Sequence, residues 1–488
     1  MKDNSLDLNQ KDFAQLLDKS AQIVLEQFEN IASAKAYHYH EQEEVASWFD
    51  EALPLEGMDF NHLLEEVQQK VMKTATGNLG PNMYAYVMTG GTQVSIVAEQ
   101  LAATINQNVT KWHLAPAISE IEKRVIRWGA EMMGLNELVG GVLVSGGSAA
   151  NLTGLTVARN IAFEKLEVRK KGLFGLPPFT VYASKEVHGC VDKSLELLGI
   201  GTNQLRKIDT LADFTINLEA LERQILADKA DGFYPFCVIG NAGTVNTGAI
   251  DDLDGIAKIT RKHQLWFHID GAYGGLTASL KSLKKQFSGF SLADSIAVDF
   301  HKWLYQPFEV GCTLVKDWNT LRRTYFKKAD YLDTALEQGS GRLEFNEHTF
   351  QLSRNAKALK VWMSIKAYGI RKIKVMIQKD IDLAHYLADQ VAQAPDFELK
   401  SRSELAVCCF RYTGNCSSEA EIVAINAKLI TALEKDGRVF ITGTRLKNEF
   451  VLRACLINHR KQRDSVDFLL NVVRETAKAI HYEPQTNY

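Results

Sequence analysis

Three stretches of this chain end apolar runs on residues that could do chemistry. SIAVDFHKW closes on Asp299, His301 and Lys302, and LWFHIDGAYGG closes on Asp270, followed by small residues that let a flat ligand approach the backbone. GGVLVSGGSAANLTGL passes from an apolar run through a glycine turn at Gly147 into a helical pattern. Backbone amides at such a start, with the positive end of the helix dipole, suit a phosphate. Each feature also has a plain reading, since lysines at strand exits are mostly solvated and glycine turns between strand and helix are common. GxGxxG spacing is absent and the chain holds no Gly-Lys pair, so neither a dinucleotide fingerprint nor a Walker loop is present. One chemistry would make Ser148 an acyl-transfer nucleophile, because Gly146-Gly147-Ser148-Ala149-Ala150 nearly matches the GxSxG elbow and Asp270 and His301 follow in hydrolase order. It leaves Lys302, beside that histidine, without a use.

The elements that must position these residues alternate. GGVLVSGG, FTVYAS, FCVIGNAG, LWFHID, SIAVDFHK and GCTLVK read as strands, separated by helical patterns such as NLTGLTVARNIAFEKL and DDLDGIAKITRKH. Strands apolar throughout and alternating with helices predict an α/β domain with a mainly parallel central sheet covered on both faces, over residues 75–360. Before it, Phe13, Leu16, Leu17, Ala21, Val24, Leu25 and Phe28 recur at helical spacing in an N-terminal helical arm, residues 1–74. APAISEIEKRVIRWGAEMMG predicts a helix with proline in its first turn and Gly134 as terminator. A helical connector broken at Gly369 is expected over 361–394. Residues 395–488, with LAVCCFRY, RVFITGT and FVLRACLI as strands between two helices, predict a small α+β C-terminal domain.

In an open α/β sheet the carboxyl ends of the strands line the ligand crevice, so Gly147, Asp270 and Lys302 can converge. That trio meets the needs of pyridoxal 5'-phosphate: a lysine for its Schiff base, a carboxylate for its pyridinium nitrogen, and a dipole-rich turn for its phosphate. A carboxylate about 4 Å from the ring nitrogen is worth about 4 kcal/mol at an effective dielectric of about 20, enough to keep the ring protonated as an electron sink.

On NQNVTKWHLAPAISEIE, SGGSAAN, the histidine of SKEVHGC, NAGT, HIDGAYGG, DSIAVDFHKW and FVLRACLIN, in that order, the chain resembles the fold-type I, group II pyridoxal-phosphate-dependent amino-acid decarboxylases. This is the family of the aromatic-L-amino-acid and glutamate decarboxylases. The resemblance covers nearly the whole chain. It implies Lys302 as the Schiff-base lysine, Asp270 as the pyridinium partner, Ala272 beneath the ring and His188 stacked on the opposite face. Gly147, Ser148, Ala149, Asp299 and His301 fall at phosphate-side positions, and Thr244 in a turn that contacts the cofactor or Asp270. The family often has two threonines in that turn where this chain has Thr244-Val245. Residues 318–350 are polar and glycine-containing and read as a mobile active-site loop; there the resemblance makes Tyr331 the acid that protonates the substrate carbon, reaching the partner subunit's site. Tyr86, Thr89 and Arg453 are implied to bind substrate, the arginine offering its fork to a carboxylate.

The implied reaction turns an L-amino acid into its amine and carbon dioxide. An aromatic substrate such as tryptophan, tyrosine or dopa is expected, with glutamate, aspartate or 2,4-diaminobutyrate next. The rivals are a serine hydrolase using Ser148 and another pyridoxal enzyme such as an aminotransferase. The resemblance further implies a homodimer with active sites at the subunit interface.

Composition narrows the field without choosing. Hydrophobic residues make up 46% and charged ones 24%, and 56 Lys+Arg against 59 Asp+Glu leave no basic field for nucleic acid or an anionic membrane. Seven cysteines without a CxxC pair read as reduced thiols, and His38 and His40 lack a second pair at zinc-like spacing, so no metal is expected. The start MKDNSLDLNQKDF carries no apolar export segment, and no run of about 18 apolar residues spans a membrane, so a cytoplasmic protein is expected.

Overall fold

The apolar runs become strands that are buried along nearly their whole length. In the computed structural model, which describes residues 6–135, 139–327 and 341–482, seven strands form the large sheet. They are β1 (Gly140–Val144), β2 (Phe179–Ser184), β3 (Leu205–Ile208), β4 (Tyr234–Asn241), β5 (Trp266–Asp270), β6 (Ser295–Asp299) and β7 (Gly311–Val315), in the spatial order β1-β7-β6-β5-β4-β2-β3. Pairs from β3 through β6 are parallel, while β7 runs antiparallel to both β6 and β1. The reversal of β7 follows from chain length: residues 300–310 are too few for a crossover, which takes about a dozen or more. Because β7 reverses twice over, β1 points the same way as β6. The exits of β1, β2, β4, β5 and β6 therefore share one edge of the sheet, and these are the exits that carry Gly147, His188, Thr244, Asp270 and Lys302.

Strand β3 was not expected from sequence. Its LRKI is buried only at its ends, as an edge strand with two polar middle residues, so it shows no apolar run. The helix Gly147–Ala162 packs on the sheet with Leu155 and Ala158 in a core that includes Phe163 stacked on Phe179 at 3.8 Å. The helix Pro116–Met132 begins and ends as predicted. Its Glu122 meets the buried Arg354, which also donates to the carbonyls of Val109 (2.9 Å) and Leu143 (3.1 Å), so NQNVTKW is tied to β1. Residues 318–350 are not loop from the start. Asp317 caps a helix at Trp318–Tyr325, accepting the Thr320 N–H at 2.8 Å, and Leu321 is buried.

The chain divides into two compact units. One gathers the residues up to Tyr86, Tyr386–Lys400 and those from Cys409 on; the other holds Val87–His385 and Ser401–Cys408. The long helix Ala358–Gln393 breaks at Gly369, whose φ of 70° is left-handed. A second sheet has the order β10-β11-β9-β8, from β8 (Phe397–Arg402), β9 (Val407–Tyr412), β10 (Thr442–Leu446) and β11 (Glu449–Cys455). β10 and β11 form a hairpin on Lys447 and Asn448, both at positive φ (48° and 74°), as a two-residue turn requires. The first unit also contains the helix Gln10–Glu29, of which no residue is buried. Among the described residues no helix is long and apolar enough to cross a membrane, and all seven cysteines are free thiols.

Candidate active site

Five strand exits meet around one cavity of about 220 Å³, all of it within the second unit. Its wall includes Gly147, Ser148, His188, Thr244, Asp270, Ala272, Asp299, His301 and Lys302. A larger cavity, about 480 Å³, lies at the opposite end of β6 and β7 among Phe290, Ile296, Leu314 and Lys316. Size does not decide between them; the convergent reactive groups are in the smaller one.

Lys302 sits one turn beyond β6, with its Nζ 3.0 Å from Asp299 Oδ2. The other oxygen, Asp299 Oδ1, is buried without a hydrogen-bond partner. His301 turns its ring to the Val310 backbone, Nδ1 lying 3.0 Å from the carbonyl oxygen, and Nε2 is 3.6 Å from Asp299 Oδ2. Burial lowers the proton affinity of this imidazole more than the neighbouring Asp299 raises it. With both ring nitrogens of His301 turned to Val310 and Asp299, the hydrolase arrangement gains no support.

Asp270 ends β5, 8% exposed, and its Oδ1 accepts the Ala272 N–H at 3.1 Å. One strand over, Thr244 is buried and its hydroxyl lies 2.9 Å from that of Thr247. The second threonine of this turn is therefore present three residues on, not at Val245, and it engages Thr244 itself. Asn241 at the end of β4 is held by Asp251, a fully enclosed carboxyl that burial pushes up to about 6 while accepting the Asn241 N–H at 2.8 Å. His188 is exposed, and its Nδ1 accepts the Cys190 N–H at 3.2 Å, which leaves the ring hydrogen on Nε2. Burial pushes the Cys190 thiol up to about 12, with Asp270 adding to the effect; it is an inert wall group.

These residues fit a phosphate-bearing planar cation. The helix at Gly147 starts with no side-chain cap, leaving its first amides for a ligand. A Cβ at Gly147 would come within 2.9 Å of Asp299 Oδ2 and 3.0 Å of the Ala272 Cβ, so only glycine keeps that approach open. Asp270 and Lys302 supply the acid partner and the amine. Ala149 is not in the cavity wall, and only its N–H, in the uncapped first turn of the helix, is offered to a ligand. Thr89 is buried, with its hydroxyl lacking a hydrogen-bond partner. Tyr86 and Arg453 belong to the first unit, where Arg453 is buried on β11 and donates to the Tyr86 carbonyl at 2.9 Å. Tyr331 lies outside the described residues. Sequence reasoning missed Asn151, Glu186, Cys190 and Phe308 in the cavity wall; the first three stand within four residues of predicted positions, the only signal they offered.

Comparison with known proteins agrees with the geometry. The family profile described as "Pyridoxal-dependent decarboxylase conserved domain" matches residues 42–413. The aromatic-L-amino-acid decarboxylase of Bacillus atrophaeus is 31% identical over 477 residues, 98% of each chain. Tryptophan decarboxylase 2 of Oryza sativa subsp. japonica is 26% identical over 438 residues, 88% of this chain and 87% of that one. The crystal structure of Oryza sativa TDC with PLP and tryptamine shares the fold at a TM-score of 0.92, with 23% identity over 98% of this chain and 99% of that one.

Proposed function

The chain belongs to the pyridoxal-dependent decarboxylase family, and we propose that it converts an aromatic L-amino acid, such as tryptophan, tyrosine or dopa, into its amine and carbon dioxide. One observation carries the reading: Lys302, Asp270 and the uncapped helix start at Gly147 face a single cavity. The aromatic preference is supported by the relatives, which include tryptophan and tyrosine decarboxylases. Pyridoxal 5'-phosphate, when bound, supplies the electron sink for the pair left behind as carbon dioxide departs.

The chain's own groups do the rest. Lys302 would hold the cofactor through its amine, and Asp299, 3.0 Å from that nitrogen, would keep it in place whenever it is free. Asp270, fixed by the Ala272 N–H, keeps the proton on the pyridine nitrogen. The amides of Gly147, Ser148 and Ala149 hold the phosphate, with His301 and Thr244 alongside. Ala272 and His188, both in the cavity wall, would flank the cofactor, with His188 oriented by the Cys190 N–H. Tyr331 delivers the proton to the substrate carbon, and Tyr86, Thr89 and Arg453 bind the amino acid, with the guanidinium taking a carboxylate. The enzyme works as a cytoplasmic homodimer whose N-terminal arm, residues 1–74, makes the subunit contact and whose sites are completed at the interface. The apolar stripe left exposed on Gln10–Glu29 supports that arrangement.

A second substrate, 2,4-diaminobutyrate, is favoured by one feature: the Glu186 carboxylate in the cavity wall suits a cationic side chain. The deciding experiment incubates the full-length enzyme and cofactor with tryptophan, tyrosine, dopa, glutamate, aspartate and 2,4-diaminobutyrate, and measures amine and carbon dioxide. Aromatic amines are the expected products. Borohydride should bleach the visible band and fix the cofactor on Lys302, as read by peptide mass; fixation on another residue, or no amine from any substrate, overturns the reading.

A further inference from the structure

We propose that His268 and Asn151 are positioning residues, which with Ser295 form a one-way hydrogen-bonded chain that braces the Gly147 turn, and hence the phosphate end of the cofactor, against β5. This rests on the pyridoxal-phosphate reading of the cavity.

The chain runs across three elements. Trp266 Nε1 donates to Ser295 Oγ at 2.8 Å, and Ser295 Oγ lies 2.8 Å from His268 Nδ1. His268 Nε2 lies 2.9 Å from Asn151 Oδ1, and Asn151 Nδ2 donates back to the Gly147 carbonyl at 2.9 Å. The direction of every link follows from the last. A carbonyl only accepts, so Asn151 must turn its amide nitrogen to Gly147 and its oxygen to His268. That oxygen accepts, so Nε2 carries the imidazole hydrogen, and Nδ1 takes the Ser295 hydroxyl hydrogen. The same Asn151 nitrogen reaches the Cys190 thiol at 3.7 Å, and the Cys190 N–H holds His188. Burial keeps the His268 imidazole neutral, down to about 4, although Asp270 pulls the other way.

Two observations separate this from ordinary core packing. Apolar side chains would join helix to sheet at least as well, since buried polar groups cost free energy unless every partner is supplied. Here both side chains are fully buried and fully matched. The helix is also shaped around the ring: a Cβ at Gly154 would come within 2.5 Å of His268 Cε1. Position explains the investment. His268 and Asp270 are two residues apart on β5 and so share one face of the strand. One strand thus sets both ends of the ligand, the ring nitrogen's partner directly and the phosphate turn through Asn151.

The test uses full-length enzyme stripped of cofactor. The dissociation constant of pyridoxal 5'-phosphate is titrated by absorbance, and the thermal midpoint of each cofactor-free variant is measured beside it. His268→Phe keeps the ring volume and removes both bonds; Asn151→Asp keeps the shape and sets an acceptor against the Gly147 carbonyl; His268→Gln keeps a donor toward Asn151. Asn151→Asp and His268→Phe should each weaken binding about ten- to a hundredfold, the scale of one or two buried hydrogen bonds or a lost orienting partner. His268→Gln should stay within about threefold of wild type, since it keeps the link nearest the turn. The affinities should not follow the thermal midpoints. Wild-type affinity in Asn151→Asp, or equal loss in His268→Gln and His268→Phe, overturns the inference and leaves the cofactor reading intact. A wild-type chain that takes up no pyridoxal 5'-phosphate overturns the cofactor reading, and the inference with it.

Discussion

The helices Gln10–Glu29 and Gly147–Ala162 invert the usual relation between pattern and burial. The first has the cleaner apolar stripe, yet none of its residues is buried, and Phe13 and Leu25 are more than half exposed. The second mixes small, polar and apolar residues, yet buries Ala150, Asn151, Thr153, Gly154, Leu155, Val157, Ala158 and Asn160. A helix laid on one surface needs only one apolar stripe. A helix enclosed between sheet and neighbours needs each residue fitted to its own contact, as Gly154 is to the His268 ring. Periodicity therefore says that a covering surface is required, whereas burial says whether the single chain provides it.

That contrast is open to direct attack, beginning where the expected effect is largest. Lys302→Ala should lower kcat/KM by roughly 10³-fold or more and abolish borohydride fixation. Asp270→Asn should lower it by about 10²- to 10³-fold, the equivalent of the ~4 kcal/mol charge interaction; steady-state kinetics with saturating cofactor checks both. In the enclosed helix, Leu155→Ala should cost about 2–5 kcal/mol in urea unfolding. His268 adds an acid-labile share. It takes a proton below its ordinary 6.5 when unfolded but resists until about 4 when folded. Stability is thus whole above pH 6.5 and drains as the pH falls through that window, by about 3 kcal/mol at its lower end. Urea curves at pH 7 and pH 4.5 should show a smaller drop in His268→Gln. The smallest effect on the single chain belongs to Leu25→Asp, about 0.5 kcal/mol or less, while sedimentation velocity should show weakened self-association. Should Leu25→Asp unfold the chain, the stripe has a partner within it and the contrast fails.

Much of this is legible in the amino-acid sequence. Strands apolar along their whole length announced themselves, and their exits pointed to Gly147, Asp270 and Lys302; the parallel β5–β6 pair brings two of those exits to one edge, and the antiparallel β7 between β6 and β1 adds the third. Two edge strands did not: Leu205–Ile208 and Phe397–Arg402 carry polar residues toward solvent and lack a run. The helix Trp318–Tyr325 was hidden by its polar composition, with Asp317 as an overlooked cap. His268 and Asn151 were invisible for another reason. A histidine inside a strand and an asparagine inside a helix take their meaning from each other, and 117 residues separate them.

The place of β1 in the sheet bears on how the molecule comes to exist. Val144 pairs with Gly311, a partner 167 residues further along the chain (311 − 144). A nascent chain makes β1 first and must keep it waiting until β7 has emerged, since pairing so distant in sequence incurs its loop-closure entropy before any contact repays it. Gly147 hangs from the end of β1, so the corner proposed for the phosphate is complete only when the last strand of the large sheet is seated. A cofactor bound at that corner would, by mass action, hold the β1–β7 closure together.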